Sequence, residues 1–147
     1  MESAPTVALP KIPRLSLRYE LWGIDIVVGY GLTECSPLIA HRRVDSNLIA
    51  AGSVGQATRD TELRIVDPEL NPNAAERSAL SNGDIGVLVA RGPQVMMGYN
   101  KNPEATLKSI DRFGWFESGD LDKVNPATGD IILTGRRCSE RAHPRFM

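Results

Sequence analysis

Hydrophobic positions in this chain fall into short, β-branched clusters punctuated by glycine and proline, with one segment patterned as a helix. Ile24, Ile26, Val27 and Val28 form a run suited to a buried strand that ends at Gly29. Gly29 and Gly31 flank Tyr30 and permit backbone angles and close ligand approach denied to other residues; Thr33 and Glu34 project from the turn. Pro37 closes that turn. From Leu48 to Val54 small and apolar residues alternate around Gly52, with Gly55 following, the mark of backbone packed on backbone. Glu62–Asp67 alternates with Leu63 and Ile65 on one side, a half-buried strand closed by Pro68, and residues 68–84 read as a surface excursion.

Gly86–Gly92 predicts another strand, and Pro93 a bend into a further extended piece over Gln94–Tyr99. The helical segment follows, with Asn102 as N-cap, Pro103 at the first helical position, Glu104 near the positive end and Ala105–Ile110 continuing to a stop at Asp111–Gly114. After the turn-like stretch Gly114–Leu121, a hairpin is predicted, Leu121–Val124 and Asp130–Thr134 flanking the turn Asn125–Gly129. The pattern stops after Arg136. The chain thus divides into an irregular lead-in (1–21), a patterned body (22–136) and a basic, unpatterned tail (137–147).

Composition narrows the function classes. The 147 residues suffice for one modest domain, and 17 basic against 18 acidic residues, a formal charge of -1, give no electrostatic case for nucleic acid as a partner. Cys35 and Cys138 match no metal or disulfide spacing, which points to a reducing compartment, with Cys35 read as a small buried side chain. No apolar run approaches the roughly 20 residues of a membrane-spanning helix, and the first residues lack the apolar core of a secretory signal.

Two positions invite chemistry. A strand followed by G-x-G-x-x suggests a dinucleotide fingerprint, but Glu34 stands where the third glycine belongs, and a bare carboxylate there would repel a pyrophosphate. With magnesium between them the sign reverses and Glu34 becomes a metal ligand, while Thr33 can donate to a phosphate oxygen; alternatively both simply cap the next element. Asp120, in the turn after Trp115 and Phe116, could accept both hydroxyls of a ribose or be an ordinary turn aspartate. A hairpin would return Arg136 to its side, to pair with it or to bind ribose or phosphate oxygens. Trp115 and Phe116 read as packing residues, and His41 and His143 have no partners at useful spacing.

Taken together, GYGLTE (Gly29–Glu34), GVLVARGPQVMMGYNKNPEAT (Gly86–Thr106), GWFESGDL (Gly114–Leu121) and TGR (Thr134–Arg136) resemble, in order, the motifs of the adenylate-forming, acyl-activating enzymes. This superfamily includes fatty acyl-CoA synthetases, luciferases and peptide-synthetase adenylation domains. The resemblance covers about Trp22 to Arg136 and is greatest to long-chain fatty acyl-CoA and acyl-carrier-protein synthetases. It implies an α/β fold class, a fragment of the large N-terminal domain ending in a β-rich, distorted barrel-like subdomain. It also implies ATP or AMP and Mg2+ as cofactors, with Tyr30 stacked on adenine, Gly29 and Gly31 lining its pocket and Thr33 on the α-phosphate. Glu34 would hold the metal, and Asp120 the ribose hydroxyls with Arg136 beside them.

The implied reaction joins a fatty or other carboxylic acid to ATP as an acyl-adenylate and passes the acyl group to coenzyme A or an acyl carrier protein. The implied location is cytoplasmic, with a plastid or a peripheral membrane contact as alternatives. The family's upstream phosphate loop is missing here. Arg137, Cys138 and Ser139 replace the lysine and acidic hinge residue that usually follow Arg136, which predicts a shifted reading frame beyond that codon. A partial copy of this kind is expected to lack turnover and to be poorly soluble; the alternative is a non-catalytic nucleotide-binding remnant or interaction module from a truncated gene.

Overall fold

The computed structural model describes residues 21–24, 27–43, 52–69, 79–81 and 83–137. The lead-in to residue 20, residues 44–51, most of the 68–84 excursion and the tail from residue 138 lie outside these, and so do the expectations placed on them. Seven strands are described: β1 (Gly29–Gly31), β2 (Leu38–His41), β3 (Ser53–Ala57), β4 (Glu62–Val66), β5 (Gly86–Arg91), β6 (Phe116–Val124) and β7 (Ile131–Arg136), with one helix, α1 (Pro103–Ser109), between β5 and β6. They form one open sheet in the order β1-β2-β3-β7-β6-β5-β4, every neighbouring pair antiparallel. Two meanders, β1-β2-β3 and β4-β5-β6-β7, meet where β3 pairs with β7.

β5 reads Gly-Val-Leu-Val-Ala without alternation because it is covered on both faces. Leu88 and Ala90 join a cluster with Tyr30, Ile39, Val54, Ile65 and Phe116, whereas Val87 and Val89 pack with Val66 and Trp115. Trp115 is itself roofed by the guanidinium groups of Arg64 and Arg91, 4.5 and 4.6 Å from its ring centroid. Both aromatics of the Trp115–Phe116 pair are therefore packing residues. α1 is capped as its sequence predicts, Asn102 Oδ1 accepting from the Ala105 N–H at 3.0 Å with Pro103 next in line.

Three expectations require correction. Of the strand expected over Ile24–Val28, residues 25 and 26 lie outside the described residues, and Ile24, Val27 and Val28 are not in a strand; the first described strand is Gly29–Gly31. A strand needs a partner, and β2 faces only these residues, in the pairs Gly29↔His41, Tyr30↔Ala40 and Gly31↔Leu38; Ile24 and Val27 are about half exposed. Gln94–Tyr99 adds no strand: it turns, Val95 N–H bonding to Gly92 O, and then docks through Met96 N–H on Glu34 O at 2.8 Å. Finally, β6 begins at Phe116, five residues before the expected start at Leu121, and runs through the stretch read as a turn. Its inward positions Phe116, Ser118, Asp120 and Asp122 are all buried, but three are polar, so the strand's alternation carries no hydrophobic signal.

Between the pairs Val87↔Leu121 and Val89↔Glu117 β6 advances farther than β5, a bulge centred on Gly119, whose φ of +76° is open to glycine. The sheet also curls. Four strand spacings separate β1 from β6, about 19 Å on a flat sheet, yet Tyr30 of β1 touches Asp120 of β6.

Candidate nucleotide site

The first part of the site is the turn after β1. Leu32 N–H bonds to Pro37 O at 2.7 Å, closing the turn around a single 3-10 turn at Thr33–Cys35. The close approach explains Gly31, since a Cβ there would lie 1.7 Å from the Pro37 carbonyl oxygen. Thr33 is exposed and Glu34 half-buried. Glu34 is held twice: its backbone oxygen by Met96 N–H, and its Oε1 by the Tyr99 hydroxyl at 2.9 Å. Cys35 is fully buried, and burial followed by the Glu34 charge pushes its thiol up to about 11, which removes it as a nucleophile near neutral pH.

The second part is the β6–β7 hairpin. The β6 bulge is pinned by Ser118, whose hydroxyl donates to Leu88 O at 2.8 Å and accepts from Asp120 N–H at 3.1 Å. Asp120 is thereby aimed inward, 5% exposed. Arg136 lies opposite it in register, with Nε 3.7 Å from Asp120 Oδ1, as the hairpin reading expected. The Tyr30 hydroxyl donates to Asp120 Oδ2 at 2.5 Å across the curl of the sheet. Burial and then that same bond hold the tyrosine hydroxyl far above its ordinary ionisation range.

Tyr30, Asp120 and Arg136 are thus brought together, and Thr33 and Glu34 follow Tyr30 on the same turn. The aromatic ring assigned to adenine is only 4% exposed, its hydroxyl committed to Asp120. Gly29 and Gly31 are used for the β1–β2 approach, a Cβ on Gly29 meeting Leu38 Cδ1 at 2.8 Å. Among the described residues no group of three or more His, Cys, Asp or Glu could hold a metal, so Glu34 belongs to no such cluster. A magnesium ion that takes one carboxylate and completes its shell with phosphate and water oxygens fits such a donor, because Tyr99 engages Oε1 and leaves Oε2.

Sequence reasoning missed Tyr99, Ser118 and Asp122. Ser118, Asp120 and Asp122 sit at alternate positions, a spacing that would place them on one strand face, but the polar run masked the strand; nothing local marked Tyr99. Asp122 is fully buried, and neither carboxylate oxygen has a hydrogen-bond partner of normal geometry among the described residues. Burial, then the neighbouring Asp120 charge, push its carboxyl up to about 8, the Thr134 backbone N–H pulling the other way.

Comparison with known proteins gives the chain its family and its fold. The chain is 41% identical over 127 residues to "Probable acyl-activating enzyme 16, chloroplastic" of Arabidopsis thaliana, covering 80% of this chain and 16% of that protein. It is 39% identical, with the same coverage, to the Arabidopsis chloroplastic long-chain-fatty-acid–acyl-carrier-protein ligase AEE15. The chain therefore spans about a sixth of the length of these relatives. Apo MatB from Rhodopseudomonas palustris superposes with a TM-score of 0.73 at 29% identity, over 93% of this chain and 24% of MatB, and the ATP-bound form of MatB with a TM-score of 0.66 at 32% identity, over 78% and 21%. These neighbours make the described sheet a piece of the N-terminal domain of an adenylate-forming enzyme. The sequence pattern of the AMP-binding enzyme family matches residues 12–100, and the chain belongs to that family.

Proposed function

We propose that this chain carries part of the nucleotide site of an ATP-dependent acid–thiol ligase, which activates a fatty or other carboxylic acid as its acyl-adenylate and passes the acyl group to coenzyme A or an acyl carrier protein. One observation carries the reading: Tyr30, Asp120 and Arg136, distant in sequence, converge on one buried carboxylate. With Oδ2 taken by Tyr30, ribose hydroxyls would donate to Asp120 from the Oδ1 side, where Arg136 stands. Tyr30 fixes Asp120, and the adenine stacking that the resemblance implies would require its ring to become more exposed than the 4% seen here; Gly29 and Gly31 lie beside it, and Thr33 would meet the α-phosphate.

Glu34, oriented by Tyr99, would hold magnesium, which when bound neutralises charge on the phosphates. The chain's own contribution is to bind and orient the nucleotide, so that the acid's carboxylate oxygen can attack the α-phosphorus in line as pyrophosphate leaves. The phosphate loop and catalytic lysine that the family resemblance calls for are not among these 147 residues, so the chain alone is expected to lack turnover. The name of AEE15 favours a fatty acid and a carrier-protein acceptor, and the names of both Arabidopsis relatives favour a plastid over the cytoplasm. No described helix is long and apolar enough to cross a membrane, which leaves a peripheral membrane contact compatible with the reading.

Calorimetric titration with AMP tests it. Asp120→Ala removes charged hydrogen bonds worth about 1.5–3 kcal/mol, so AMP affinity should fall by roughly tenfold or more, with no ATP–pyrophosphate exchange from either chain. Absence of AMP binding by the unaltered chain would overturn the reading in favour of a non-catalytic remnant or interaction module.

A further inference from the structure

The nucleotide reading leaves one buried ionisable group without a task. Asp122 lies two residues beyond Asp120 on the inward face of β6, fully buried. The groups around it are few. Asp120 faces it from its own strand, and Tyr30 from β1 lies near enough to feel its charge. Opposite it in register stand Gly86 of β5 and Leu133 of β7, neither charged. Among the described residues no Lys, Arg or His forms an ion pair with it, Arg136 reaching only Asp120.

The two carboxylates are therefore unequal. Asp120 has a side-chain donor in Tyr30 and a cation in Arg136, so a negative charge on it is compensated; Asp122 has no cation and no side-chain donor, and only the Thr134 backbone N–H of β7 favours its charge. A second buried charge beside the first would be costly, and the pair is accommodated when Asp122 carries the proton.

Resting on the nucleotide reading, we propose that Asp122 is a positioning residue of this site: held neutral behind Asp120 it keeps the buried pair singly charged, and its ionisation weakens nucleotide binding. Ionised Asp122 would repel Asp120, loosen the Tyr30–Asp120 bond that fixes the ribose acceptor, and add negative charge under an anionic ligand. The direction of its titration agrees. A carboxyl raised from 3.8 to about 8 in the folded chain is neutral at pH 7, and its contribution to stability is full below the unfolded value and lost as pH climbs through about 8.

The test is AMP binding by the 147-residue chain between pH 7 and 9.5, above the phosphate's own second ionisation at about 6, with melting midpoints taken from the unfolded value of 3.8 through about 8 and beyond. The unaltered chain should lose affinity with a slope approaching about tenfold per pH unit above the Asp122 ionisation, and its midpoint should fall between the unfolded value of 3.8 and about 8 and level off above that. Asp122→Asn, neutral at every pH, should flatten both profiles. An affinity that is flat in the unaltered chain, or that still falls in Asp122→Asn, overturns the proposal. Should the variant not fold, the unaltered profile decides by itself, a flat affinity refuting and a falling one supporting. No AMP binding at any pH, while Asp122→Asn still flattens the melting profile, overturns the nucleotide reading and the coupling with it but leaves the buried acid identified.

Discussion

Asp120 takes its geometry from contacts far away in sequence. Its orientation depends on Ser118 bridging to β5, and its charge is met by a tyrosine from β1 and an arginine from β7. Tyr30→Phe deletes the donor and strands a buried carboxylate oxygen, so we expect a loss of about 1–3 kcal/mol in stability, measured by urea unfolding, with little change in the denaturant slope. Sequence reasoning identified Asp120 and Arg136 as a pair because a hairpin register is a local property. For Tyr30 the resemblance implied only a ring stacked on adenine, and the structure adds a hydroxyl committed inward to Asp120, a contact that depends on sheet curvature and leaves no trace in local spacing. Asp122 escaped for the complementary reason, since a lone polar residue in a polar stretch looks exposed until its strand is known to be buried.

Among the elements, those legible in the sequence have self-contained signals. α1 announces itself through Asn102 and Pro103, and β5 through an unbroken apolar run. The strands that were displaced, β1 and β6, take their limits from partners: β1 is as long as β2 allows, and β6 is held by β5 and β7 despite its inward-facing Ser118, Asp120 and Asp122. This difference can be measured. Asn102→Ala removes one cap bond at an exposed helix end and should cost about 1 kcal/mol. Gly31→Ala drives a methyl into the Pro37 carbonyl, backbone that has nowhere to go, and should cost more. Equal losses in thermal or urea melts would mean that the β1–β2 approach relaxes freely.

For the molecule as a whole, the decisive arrangement is the union of two meanders through the single ladder between β3 and β7. Each meander is built from neighbours in sequence, while that ladder joins residues such as Ser53 and Ile132, so it is the pairing of greatest loop-closure cost and is expected to form late. The Tyr30–Asp120 bond has one end in each meander. The candidate site therefore doubles as a clasp: opening the seam would part its two halves while leaving each meander paired within itself. A nucleotide gripping both sides must then slow that opening, adding protection that grows with the logarithm of its concentration above the dissociation constant. Hydrogen exchange at the β3 and β7 amides should slow on addition of AMP more than exchange at the β4–β5 ladder, which lies wholly within one meander. Uniform slowing across both ladders would mean that the sheet opens as one unit and that the clasp has no seam to close.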